Sequence, residues 1–319
     1  MTAATPSNPI LLTPTWAGDL EHFRLLRASL ARSPLAGLTH HVVVQTEDRH
    51  LFEAYAEEPN VVLRTTAEVL PADVERERLK ARHISARTGR HLTRISGSLR
   101  RTLGWPRWPA YTGWHTQQLC KLAVASETGH DTTIVLDSDV VVSPSAQLDD
   151  FQTSDAVVCF AQWQPLGELS GKVRKWVDNA AKLTGPGKLT EAQPVNTYFD
   201  TPFVFDGAAV NGMLQHLEQQ SGRPWWQHLL NQPPRRWSEF GLYKQYLAQH
   251  ETRPVQWRAP DVMHYIFDTR DATAVVQRVK ALFERPDTHY ITLHSQSSGK
   301  HDWNARDFTD LLLEWITTR

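Results

Sequence analysis

The stretch IVLDSDVVVSP, residues 134–144, decides how the rest of the chain is read. Ile134, Val135 and Leu136 form the continuous apolar run of a strand buried on both faces, and Val140 to Val142 resume it. Asp137, Ser138 and Asp139 therefore interrupt a core. On an extended segment alternate side chains share a face, which predicts that Asp137 and Asp139 look toward one point while Ser138 turns aside. Two like charges in such a place need compensation. Carboxylate oxygens suit Mg²⁺ or Mn²⁺, and one or two carboxylates plus substrate phosphates is the usual way a protein holds such an ion. The plainer alternative is that both aspartates cap a turn.

Outward from this stretch, short apolar runs alternate with helical patterns. NPILLTPTW reads as a first strand, and GDLEHFRLLRASLAR puts Leu20, Phe23, Leu26 and Leu30 on one side of a helix. HHVVVQTED and NVVLRTT are further strands, and GWHTQQLCKLAVASETG is a helix closed by Gly129 that leads into the strand TTIVLDSD. Alternation of this kind predicts an α/β fold with a mostly parallel sheet flanked by helices, whose ligands gather at the carboxyl ends of the strands. Asp137 and Asp139 lie at such an end.

With 319 residues and 40% hydrophobic composition the chain has ample material for a core. A formal net charge of -1 gives no bulk field toward nucleic acid or an anionic membrane. Cys120 and Cys159 lack a metal-type spacing and read as buried free thiols of a reducing compartment. The first residues have no basic start, and no run approaches the roughly 20 apolar residues of a membrane span, so a cytoplasmic protein is expected.

Two segments break the alternation. Residues 75–108 are rich in Arg and His and read as a partly helical surface insertion with a solvated face; docking on an anionic acceptor or a membrane surface is the alternative. Residues 171–196 read as a helix and a Gly/Pro loop forming a mobile flap.

Further chemistry is carried by helices. Gln118 and Lys121, three residues apart, share a helical face, and a lysine there can balance phosphate charge or simply stand exposed. NTYFDTPFVFDGAAVNGML reads as a strand, a break at Asp206 and Gly207, and a helix. In RRWSEFGLYKQYL, Ser238 is an N-cap and Glu239 lies in the first turn, where a carboxylate is favoured by the helix dipole. Among the 12 tryptophans, Trp237 beside Glu239 and Trp303 near the end are candidates for packing on a sugar.

Four ordered stretches, TPTWAGDLEHF, GWHTQQLCKLAVA, VLDSDVVV and ITLHSQSSGKHDW, resemble a bacterial glycosyltransferase-like group of the GT-A fold, distantly similar to the glycogenin-like branch. The resemblance implies one GT-A-like domain over 1–319: a nucleotide-sugar half at 1–145 interrupted by the 75–108 insertion, and an acceptor and metal-completing half at 146–319. It implies a hexosyltransferase-like enzyme that moves a sugar from a nucleoside-diphosphate donor, UDP-linked by commonest expectation, to a glycan or lipid-linked acceptor in polysaccharide biosynthesis, with no nucleic-acid partner. The metal would be held by Asp137, Asp139 and His294, with Asp137 also touching the sugar. Donor contacts would come from Thr13, Thr15, Asp19, Gln118, Lys121, Asp137, Asp206, Lys300 and Trp303, with Glu47 and Asp48 as further ribose or base contacts. Glu239 resembles the acidic group that serves as general base in inverting members. The branch typically shows His-x-x-Gly-x-x-Lys, whereas here Gly299 follows His294 by five residues and Lys300 comes directly after, and His301 is a rival ligand. Haloacid-dehalogenase phosphohydrolases also place DxD after an apolar strand, but they open their domain with it; a carbohydrate or nucleotide-binding protein without catalysis is the third reading.

Overall fold

The computed structural model describes residues 8–84, 113–233, 235–268, 271–294 and 305–318. In chain order, β1 (Pro9–Thr15), α1 (Leu20–Leu30), β2 (Thr39–Val44), α2 (Arg49–Phe52), β3 (Val61–Thr65), α3 (Thr66–Val69) and α4 (72–84) precede α5 (Trp114–Ala125). There follow β4 (Thr132–Val135), β5 (Val140–Val142), β6 (Val157–Phe160), β7 (Trp163–Pro165), α6 (Gly171–Thr184), β8 (Pro194–Asn196), β9 (Phe203–Asp206), α7 (Gly207–Ser221) and α8 (Trp225–Leu230). The last elements are α9 (Glu239–His250), β10 (Val255–Arg258), β11 (Met263–Ile266), α10 (Ala272–Phe283), β12 (Tyr290–Leu293) and α11 (Ala305–Thr317).

The fold is mixed α/β with a mostly parallel central sheet flanked by helices. Its order is β3-β2-β1-β4-β9; the first four strands are parallel and β9 runs antiparallel to β4. The strands are apolar on both faces because helices cover both, and Leu11, Leu12, Val42, Val44, Ile134 and Val135 are fully buried. α1 turns Phe23, Leu25, Leu26 and Leu30 inward, in keeping with its apolar period.

At residue 136 the chain leaves this sheet. Leu136 N–H still bonds Leu12 O, and then Val140 N–H closes onto Asp137 O at 3.1 Å. Asp137–Ser138–Asp139 therefore lies in a turn, and the extended geometry expected for it is corrected. The turn is needed because β5 goes on to pair antiparallel with β12 in a second sheet of order β11-β12-β5. β5 is buried on both sides: Val140 and Val142 belong to the main core, and Val141 to a second core with Leu25, Ile266, Ile291 and Phe308. A parallel pair β6–β10 and the antiparallel hairpin β7–β8 complete the strands.

Three local expectations are revised. α5 ends at Ala125 with Ser126 as its C-cap, and Gly129, at φ 108°, belongs to the turn beyond. The beginning of the 75–108 segment is packed rather than solvated: Arg78 is 3% exposed and is held between Glu75 and Glu47. Residues 85–108 lie outside the described residues. The 171–196 flap is fastened, because α6 buries Trp176, Val177 and Ala181 and packs on α9. Its loop is tied by Gly185 and Gly187 N–H to Ala181 O and by Arg174 to Glu191. Cys120 and Cys159 are buried free thiols, as expected, and burial raises both to about 12. Among the described residues no helix is long and apolar enough to cross a membrane.

Candidate functional site

The acid turn is anchored to β1. Ser138 Oγ donates to Thr15 Oγ1 at 2.8 Å, and Thr13 Oγ1 donates to Leu136 O at 2.7 Å. Thr13 in turn accepts from His40 Nε2 at 2.9 Å, which fixes the imidazole tautomer, and Arg27 donates to the other ring nitrogen. Burial and the Arg27 charge hold His40 well below the usual histidine range, so it stays neutral. Thr13 and Thr15 are 0% and 3% exposed. Where contacts to a nucleoside were expected, the structure shows both hydroxyls buried and holding the turn.

The acids near the end of β1 and β2 are also engaged. Asp19 accepts from Trp16 Nε1 at 2.8 Å, and Asp48 accepts the Ala17 N–H at 2.9 Å. Glu47 takes a two-pronged contact from Arg78. Asp48 thus ties the β2–α2 connection to the β1–α1 connection, and Glu47 ties it to α4.

Lys121 is the cation that the opening stretch required. It is 5% exposed, and its Nζ lies 2.9 Å from Asp137 Oδ1 and 3.3 Å from Glu239 Oε1, with the Phe240 ring 4.8 Å away. Burial opposes its charge, but Asp137 and Glu239 hold the ammonium above the ordinary lysine range. Gln118, one turn earlier on α5, accepts the Glu239 backbone N–H at 3.1 Å, so α5 caps the start of α9. Gln118 is therefore a scaffold residue, and its donor-contact assignment is corrected.

Glu239 is 2% exposed, and burial raises its carboxyl despite Lys121. Ser238 Oγ donates to its second oxygen at 3.3 Å. In this arrangement both oxygens of Glu239 are engaged and almost none of its surface is exposed. Where a general base was expected, the structure places a buried partner of Lys121.

His294 arrives from the other sheet. Leu293 N–H donates to Asp139 O at 2.8 Å, and His294 N–H to Ile266 O at 3.0 Å, which brings the end of β12 against the acid turn. The imidazole stacks on Phe267, centroids 4.4 Å apart and planes within 10°, and its buried Nε2 has no hydrogen-bond partner among the described residues. Burial lowers His294, while Asp200 and Asp137 pull it upward. Asp200 is a further carboxylate near His294 and Asp137 that sequence reading missed. It precedes the Thr201–Pro202 step into β9, and burial, with Asp137 adding to it, raises its carboxyl. Thr292 Oγ1 bonds Thr201 O at 3.1 Å and ties this segment to β12.

These groups suit a hard cation in kind: carboxylate oxygens at the turn and an imidazole nitrogen that no described residue engages. Among the described residues, however, no three His, Cys, Asp or Glu side chains form a ready cage for a metal. The set fits an ion that also takes oxygens from a bound phosphate, which is how Mg²⁺ is ordinarily held.

Other expected residues fall elsewhere. Asp206 pairs in register with Thr132, the first residue of β4, and so lies at the end of the sheet away from the acid turn. Its carboxylate caps α7 through Ala209 N–H and binds Arg253. Its donor-contact assignment is corrected, because β9 runs antiparallel. Trp237 is 1% exposed against His115, so its expected sugar contact is likewise corrected. Lys300, His301 and Trp303 lie outside the described residues.

No curated protein matches the chain. Among solved structures, the galactosyltransferase LgtC, in complex with donor and acceptor sugar analogs, is similar at 13% identity and a TM-score of 0.44, covering 97% of this chain and 96% of that one. A family profile matches residues 9–280, most of the sequence, and on that match the chain belongs to the family of unknown function DUF6492.

Proposed function

We propose that the protein is a metal-dependent glycosyltransferase of the GT-A type that takes a sugar from a nucleoside-diphosphate donor, UDP-linked, to a hydroxyl of a glycan or lipid-linked acceptor. The observation that carries this reading is the meeting of the acid turn after β4 with His294 at the end of β12, through Leu293 N–H and Asp139 O. A mostly parallel sheet with its acids at the carboxyl ends supports it.

In this reading Asp139, Asp137 and His294 would hold Mn²⁺ or Mg²⁺ together with donor phosphate oxygens. The ion, when bound, would offset charge that builds on the leaving diphosphate. Lys121 keeps Asp137 oriented and adds fixed positive charge, and Glu239 keeps Lys121 protonated and in place. Asp200, half-buried beside the turn, replaces Glu239 as the carboxylate open to an acceptor hydroxyl.

The test is thermal shift with a panel of nucleoside diphosphates, with and without Mn²⁺, followed by donor hydrolysis. Metal-dependent stabilisation by UDP or GDP that is lost in Asp139→Ala is the expected result. Turnover of a simple phosphate ester with no diphosphate binding overturns the reading.

A further inference from the structure

The β7–β8 hairpin and β10 each carry an indole that the proposed donor site leaves unused. Trp163 is 50% exposed, and its ring packs edge-on against Trp257 of β10, centroids 5.4 Å apart. The two indoles stand at the wall of a cleft between the hairpin, α6 and α9. Gln193, Gln245 and Gln249 line the same cleft, and their side-chain amides make no hydrogen bond among the described residues. Each amide brings two donors and an acceptor. Flat apolar rings facing uncommitted amides are what a sugar needs: C–H faces pack on the rings and hydroxyls bond the amides.

The cleft also says which sugars. Among the described residues Lys244 is its single ionisable lining group, and the ammonium donates to Asn196 Oδ1 at 3.1 Å, Asn196 O at 3.4 Å and the Tyr198 carbonyl. An ammonium has three protons, and these three acceptors take them. Burial lowers Lys244 to about 7, so near neutrality it offers a carboxylated or phosphorylated ligand neither a free N–H donor nor a full positive charge. Lys244 further pins the segment that connects the cleft to Asp200. Asp200 is four residue steps along the chain from Asn196, a span of at most about 14 Å.

We infer that this cleft is an acceptor subsite that binds a neutral oligosaccharide, seated on Trp163 and Trp257 and hydrogen-bonded to the glutamine amides, with its reactive end toward Asp200. The inference rests on the glycosyltransferase reading for the word acceptor; the saccharide binding itself does not.

The experiment is a microarray of neutral di- to hexasaccharides of glucose, galactose and N-acetylglucosamine, alongside charged counterparts bearing uronic acid or sulfate. It is probed with the full-length protein, Trp163→Ala and Gln249→Ala, and UDP–Mn²⁺ thermal shift runs in parallel. Expected are binding to at least one neutral series, a tenfold or greater loss in Trp163→Ala, a smaller loss in Gln249→Ala, and an unchanged UDP–Mn²⁺ shift in both. Absence of neutral saccharide binding, preference for the charged series, or equal binding by Trp163→Ala each overturns the subsite. Because the nucleotide shift is read separately, a failed subsite with an intact shift leaves the donor reading standing, and the converse holds as well.

Discussion

Lys121 reaches from α5 to Asp137 with 2.9 Å between Nζ and Oδ1, so the first acid of the turn is held by a cation that is itself almost wholly enclosed. The other contact of that cation, Glu239, is equally enclosed, and the energetics of the trio follow from this asymmetry. Asp137 can fall back on water; Glu239 has none.

Replacing Lys121 by Met should therefore cost about 3 kcal/mol, since a buried carboxylate is left without its counter-ion. The double variant Lys121→Met, Glu239→Gln should recover more than half of that loss. Urea denaturation of the wild type, both singles and the double completes the cycle. Equal losses for the single and the double would show that Glu239 is not the group left stranded.

The hydroxyl pair beneath the turn gives a second cycle. Thr15→Val leaves the Ser138 hydroxyl buried without its acceptor and should cost about 1–3 kcal/mol. Thr15→Val with Ser138→Ala should cost less than the sum of the two singles. Additive losses, measured by the same denaturation, would mean that the two hydroxyls stabilise independently.

Asp206→Asn tests the reassignment of that acid. Asparagine is also a good N-cap, so the cap at Ala209 survives while the partly exposed contact with Arg253 weakens, and stability should fall by no more than about 1 kcal/mol. The UDP–Mn²⁺ thermal shift should be unchanged. Its loss would return Asp206 to the donor site.

Acid sensitivity should follow from His22, which is 2% exposed on α1 against Phe308 and is lowered by burial to about 4. Its folded value is depressed, so the unfolded chain takes the proton first. Stability supplied by the neutral ring is present above pH 6.5 and is lost as pH falls toward 4. At pH 4.5 the loss is about 2.5 kcal/mol. His22→Leu should remove it, so the stability gap between variant and wild type should widen by that amount between pH 7 and 4.5. A gap that stays constant with pH would rule out His22 as the source.

Periodicity was enough to read β1, α1, β2, β3, α5 and β4 in the sequence, because each is a buried apolar run or a one-sided helix. Direction was not. Nothing in TPFVFDG says that β9 runs against β4, and that single fact exchanges the two acids of the segment: Asp206, at the strand's end, goes to the far edge, and Asp200, before its start, comes to the turn. Had β9 been taken as antiparallel, Asp200 was the acid to choose. Lys121 was visible from its spacing to Gln118, but its two partners come from elements 16 and 118 residues away, and the burial of Glu239 depends on how α5 meets α9. The polar lining of the indole cleft was hidden for the same reason, since Gln193, Gln245 and Trp163 come from three separate elements or loops.

The three valines of β5 work as a rivet. Val140 and Val142 are driven into one layer and Val141 into the other, so the two layers cannot slide past each other without dragging the aspartates immediately ahead of them. Enlarging or hollowing the smaller layer, at Ile291 or Phe308 for example, therefore reaches Asp137 and Asp139 mechanically, with no polar group altered along the way.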